Sequence, residues 1–150
     1  MQEAFGGIMN IFLIAIFLAI VEAILAFAVC YTKTFRMKNY VISAVEQYEG
    51  IGCSGGGITG GMTACRQRIQ NYARNLKYSP ADLQCHGDGA VNIDGLYCIR
   101  EIQRDSGRNS IQYRVTTQVD IDLPIINKIM GLEFFQVSGD TRSLRIDVGE

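Results

Sequence analysis

The chain has 150 residues, a formal net charge of −1 and hydrophobic side chains at 48% of its positions. A near-neutral chain with no block of basic residues has nothing to track a phosphate backbone, so nucleic acid is not an expected partner. Once the apolar N-terminal stretch is set aside, enough chain remains for about one small domain.

Residues 1–7 form a short N-terminal segment without Lys or Arg, and residues 8–31 read IMNIFLIAIFLAIVEAILAFAVCY. That run carries one charged side chain, Glu22, and neither proline nor glycine. Crossing hydrocarbon takes about 20 apolar residues rising about 1.5 Å each, so the run reads as a transmembrane helix. Ala26-Phe27-Ala28 offers the small-x-small exit of a secretion signal, but the basic start is missing and the apolar core is too long. An uncleaved anchor is expected, giving a single-pass protein of the cell membrane. Cys30, at its end, is expected to pack as a small apolar side chain.

Two rules disagree about orientation. Lys33, Arg36 and Lys38 follow the helix and favour a cytoplasmic head. Cys53, Cys65, Cys85 and Cys98 are an even set in a loop-rich region, as in a disulfide framework built in an oxidising compartment. No Cys-x-x-Cys or His-rich spacing offers zinc instead. The cysteines outweigh three basic residues, and an extracytoplasmic head is expected. Four cysteines allow three pairings, and Cys53–Cys65 with Cys85–Cys98 is expected because each closes a short local loop.

Glu22 is the sharpest single feature. A carboxyl near the middle of a lone span costs about 2.5–3.5 kcal/mol on insertion scales. Contact with a basic group or amide on another subunit offsets that cost; a protonated Glu bonded within its own helix is the alternative.

In residues 32–49, Met37, Val41, Ala44, Val45 and Tyr48 recur at helical spacing, with Lys38, Asn39, Glu46 and Gln47 on other faces. A helix running unbroken from Ile8 to Tyr48 would be about 60 Å long. Its outer half needs something packed on the stripe, either the head or a neighbouring copy. Residues 50–61 end it, with glycine at seven of the twelve positions. The Gly-Lys-Ser/Thr and Gly-x-Gly-x-x-Gly patterns of phosphate loops are missing, so a loop stapled at its ends is expected.

Residues 62–150 make up the head. Its helix, 62–77, carries the stripe Met62, Cys65, Ile69, Tyr72, Ala73 and Leu76, with Arg66, Arg68, Arg74 and Lys77 facing away. Thr59 or Thr63 is able to cap it, and Ser79-Pro80 closes it. Past Leu83 the period becomes 2. Residues 111–121 alternate as one long strand, preceded by a strand over 96–104 and a short one over 90–94 that turns at Asp94-Gly95. Phe134 to Val137 and Leu144, Ile146 and Val148 suit one last strand. Between them, residues 123–131 read as an apolar plug opened by a proline that a central strand would not accept. The expected fold is α+β: a long N-terminal transmembrane helix extending into a small head with a second helix and an antiparallel sheet of three to four strands.

No catalytic set is expected, nor a cofactor or a metal site. His86 stands beside Cys85 and Asp88 in a turn-like stretch, but one histidine is not a constellation. Asp120 and Asp122 alternate outward on one strand and suit a solvated sheet face.

These elements follow the lollipop plan of type IV pilin-like proteins. Phe17-Leu18-Ala19-Ile20-Val21-Glu22 with its long helix resembles the membrane segment of TadE-like pseudopilins. The run from Val119 through Leu123-Pro124 and Gly131 to the strand ending at Arg145 is similar to their C-terminal pattern. The resemblance implies a bacterial, non-enzymatic structural or assembly subunit of a Tad or type IV pilus-related secretion apparatus. Its partners would be the lipid bilayer and other pilin-like subunits or inner-membrane assembly proteins. The chain differs from prepilins in having Ile11 and Phe12 where they carry a glutamate, and its glycine loop, middle helix and four head cysteines have no counterpart in that pattern. An anchored ligand-binding ectodomain and a tethered thiol enzyme using Cys85 and His86 are the competing readings.

Overall fold

The computed structural model describes residues 2–50, 52–53, 61–120 and 134–145, with side chains from residue 7 in the first helix and from residue 64 in the second. Most of the glycine loop, the apolar plug, Asp122, Ile146 and Val148 lie outside the described residues, as do the capping side chains Thr59 and Thr63. The elements in chain order are α1 (Gln2–Gln47), α2 (Gly61–Leu76), β1 (Val91–Ile93), β2 (Tyr97–Asp105), β3 (Ser110–Asp120), β4 (Phe134–Asp140) and β5 (Leu144–Arg145). The arrangement is an α+β lollipop, with one long helix feeding a head made of a second helix and an antiparallel sheet.

α1 runs unbroken for 46 residues, about 70 Å at a helical rise. Its two halves live in different surroundings. Ile8, Phe12, Phe17 and Leu25 are each more than 60% exposed, whereas Met37, Val41 and Val45 are fully buried. The buried positions Thr34, Met37, Lys38, Val41, Ala44 and Val45 step by three and four and so share one face. That face meets β3, β4 and α2. The packing partner of the outer half is therefore the head itself.

Lys38 corrects the expectation that it faces away. It is only 9% exposed, and its ammonium sits 4.4 Å from the centre of the Phe35 ring. Gly139 on β4 leaves the room: a Cβ there would stand 3.3 Å from both Lys38 Cδ and Cε and 2.9 Å from Ile42 Cδ1. A long apolar stem can cover a core that its charged end avoids.

The sheet runs β1-β2-β3-β4, all neighbours antiparallel, and β5 pairs with the far end of β3. The final strand expected from the alternation is thus two strands: β4 lies along the lower part of β3, and β5 along its start, through Ile111↔Leu144. β1 and β2 join through Asp94 and Gly95, both at positive φ (54° and 69°) as a tight hairpin turn requires. Asn92 Oδ1 accepts the Gly95 N–H at 2.9 Å. β3 alternates as read from the sequence: Ile111, Val115, Thr117 and Val119 are buried, joined in the core by Ile69, Ala73, Ile93, Tyr97 and Ile99.

The other face of the sheet is not simply solvated. The segment 78–84 crosses its lower end, where Gln118 Nε2 donates to the Ala81 carbonyl at 2.7 Å and Gln136 Nε2 to that of Gln84 at 2.6 Å. Gln118 is consequently 1% exposed, and Asp120 accepts the Ala81 N–H at 2.5 Å. Asp120 is thus a clasp for this segment, which strand alternation alone does not reveal.

Candidate functional site

The residues singled out by the sequence fall into three places along the rod. The lowest is the bare half of α1. Mean hydropathy reaches 2.9 there with none of it buried, and it is long and apolar enough to cross a membrane. Glu22 is exposed on this stretch. At about 100° per residue, Ala15, Ala19 and Ala26 fall on the same side of the helix as Glu22, together with the larger Leu18, Leu25 and Val29. The alanines leave places on this mixed side where a second helix can approach, and the Glu22 carboxyl supplies a strong hydrogen-bonding group there. Cys30 is unpaired and half-buried.

The second place is the junction of rod and head. Phe135 on β4 packs against Phe27 (ring centres 5.7 Å apart) and Tyr31 (6.1 Å). Phe27, Tyr31 and Phe35 follow one another at intervals of four, with successive centres 6.4 and 6.2 Å apart. The head therefore reaches down over the last turn of the stretch 8–31. Above it, Thr34 Oγ1 donates to the Cys30 carbonyl at 3.1 Å and lies 3.4 Å from that of Gln118. Tyr78 closes the same spot: its hydroxyl donates to the Gln118 carbonyl at 2.9 Å and accepts the Gln118 N–H at 3.1 Å. The β2–β3 register ends at Cys98↔Thr116, so Tyr78 supplies the partner that β2 no longer can. Burial pushes the Tyr78 hydroxyl up to about 12.

The third place is the cystine-braced top. Cys53 is bonded to Cys65 and Cys85 to Cys98, with Cα atoms 5.7 and 5.6 Å apart. This is the local pairing expected from loop length. The first bridge ties the end of the glycine loop to α2, and Tyr97 holds the same loop by donating its hydroxyl to the Cys53 carbonyl at 3.0 Å. The second pins the segment 78–84 to β2. With Cys85 bridged, no thiol stands beside the exposed His86. Among the described residues, no group of three His, Cys, Asp or Glu side chains is placed to hold a metal ion.

The basic residues of the second helix face away from its apolar stripe as expected, but two of them have partners on other elements. Arg66 is ion-paired with Asp94 and Gln70 adds a bond at 3.0 Å, so the Arg66 hydrogen bond holds the Asp94 carboxyl below its usual range. Arg68 donates to the Tyr40 hydroxyl at 3.1 Å and to Gln47 Oε1 at 2.7 Å, while Tyr40 stacks on Tyr72 with centres 3.8 Å apart. Two of the four basic residues thus fasten α2 to the β1–β2 turn and to α1. Tyr40, Gln67, Arg68, Asn71 and Tyr72 line an open groove along α2. Its acid–amide–aromatic clasps were invisible to a helical-period reading, because that period tells direction and not partner.

Compared with family models, curated proteins and solved structures, the chain matches none.

Proposed function

We propose that the chain is a single-pass membrane protein serving as a pilin-like structural or assembly subunit of a Tad or type IV pilus-related secretion apparatus, with its head outside the cytoplasm. The observation that carries this reading is the division of α1: one continuous helix, bare and apolar below, forming the core of a folded head above. Such a rod transmits the position of the membrane half rigidly to the head, as a packing subunit requires and a flexibly tethered module does not. The two bridged cysteine pairs support an oxidising location for the head. Glu22 and the alanines beside it are the side offered to neighbouring helices.

The test is crosslinking in native membranes between cysteines placed at Ala19 and Ala26. Helix-to-helix products are expected from the parent and are lost with Glu22→Leu; identical products from both would remove Glu22 from the contact. The groove along α2 favours a second reading, an anchored ectodomain that binds a ligand there. Ligand capture by a protein whose helix forms no crosslinks would favour that reading.

A further inference from the structure

Resting on the membrane-spanning reading, we propose that the base of the head is seated in the phospholipid headgroup layer, so that head and bilayer form one fixed unit. Phe27 lies nineteen residues beyond Ile8, about 29 Å along the axis, which matches a hydrocarbon thickness of about 30 Å. At that level stands the aromatic row Phe27, Tyr31 and Phe35, joined by Phe135 from the sheet. The rings on the helix remain open despite their mutual contacts: Phe27 is 38% exposed and Tyr31 and Phe35 are each 41% exposed, as is Phe134 beside Phe135. Tyrosine concentrates where hydrocarbon gives way to headgroups, since its ring is apolar and its hydroxyl polar; Tyr31 is the residue of that kind here, and the phenylalanines around it offer apolar surface to the lipid below. Lys33 and Arg36 stand at the same height on the side of α1 away from the aromatic row, within reach of lipid phosphates. The occupant is thus continuous with the lipid around the apolar half of the helix and opposite in charge to these two residues.

The chain has no tryptophan, so single replacements report depth without background. The full chain is placed in phosphatidylcholine–phosphatidylglycerol vesicles containing lipids brominated either near the carbonyl or deep in the acyl chain. Phe17→Trp reads the span, Phe134→Trp the base of the head, and Val91→Trp, 46% exposed on the outermost strand, the head's far edge. Expected are emission loss for Phe134→Trp with shallow bromines, loss for Phe17→Trp with deep ones, and none for Val91→Trp. Quenching of Phe17→Trp without any of Phe134→Trp overturns the seat and leaves the span standing. An unquenched Phe134→Trp whose emission shifts with protein concentration assigns the aromatic row to a second copy, which also overturns it. If Phe17→Trp is unquenched by either lipid, the spanning reading fails and the seat with it.

Discussion

Tyr78→Phe isolates the joint between sheet, segment and rod. The substitution keeps the ring in its buried site and deletes only the hydroxyl that serves the backbone of Gln118 at 2.9 and 3.1 Å. The Gln118 carbonyl retains Thr34 Oγ1 at 3.4 Å, but its N–H is left buried beyond the end of β2. A buried unsatisfied N–H costs about 1–3 kcal/mol, and with the lost bond to the carbonyl the expected destabilisation is about 2–3 kcal/mol. That is a large fraction of the roughly 5–15 kcal/mol that holds a domain folded. Guanidinium unfolding of the full chain in detergent micelles, followed by near-ultraviolet circular dichroism, reads the change as a lower midpoint. Alkaline pH offers an independent check. The hydroxyl holds its proton more tightly when folded, at about 12 against an ordinary phenol value of about 10, so its stabilisation is complete below the lower value and lost as pH rises through the higher. Tyr97, also pushed up by burial, loses its contribution in the same direction. The Phe variant should therefore lose stability less steeply than the parent over that range. An unchanged midpoint together with an unchanged alkaline slope would refute the role given to Tyr78.

Other substitutions probe the remaining joints. Cys85→Ser with Cys98→Ser opens a bridge across a separation of 13 residues and should cost about 3 kcal/mol, while non-reducing peptide mapping of the parent should recover Cys53–Cys65 and Cys85–Cys98 alone. Gly50→Ala places a Cβ 2.6 Å from Tyr113 Cε2 at a φ of 75°, and a loss of about 1–3 kcal/mol is expected in the same unfolding assay. Asp94, held low by Arg66, contributes stability that is present above the ordinary carboxylate range and lost as pH falls through its folded value. Asp94→Asn should flatten that acid limb, and an unaltered limb would assign the loss to other carboxylates.

The regular elements were readable from the chain because their periods are enforced by burial. Met37, Val41, Ala44 and Val45 mark the buried stripe of α1, and Ile111 to Val119 alternate as a half-buried strand must. Both bridges followed from the cost of closing long loops. What periodicity missed is where polar groups do the packing. Lys38 lies in the core through its methylenes, Gln118 is buried by the segment that its own amide holds, and Arg66 and Arg68 join elements separated by long stretches of sequence. The split of the last strand at Thr141 was likewise hidden, since that residue accepts the Tyr113 N–H through Oγ1 and donates its own N–H to the Tyr113 carbonyl. The stacking of Phe135 on Phe27 depends on how far β4 runs down the rod, which no local pattern records.

Central to the proposed function is an oxidised head carried outside the cytoplasm by an intact apolar rod. Its most direct test is labelling of intact cells with a membrane-impermeant maleimide, before and after an impermeant reductant, in a Cys30→Ser background that leaves only the four head cysteines. No labelling is expected at first, and labelling of the membrane-bound, full-length chain is expected after reduction. Labelling that needs permeabilised cells but no reductant would put free thiols in the cytoplasm and contradict the proposed function.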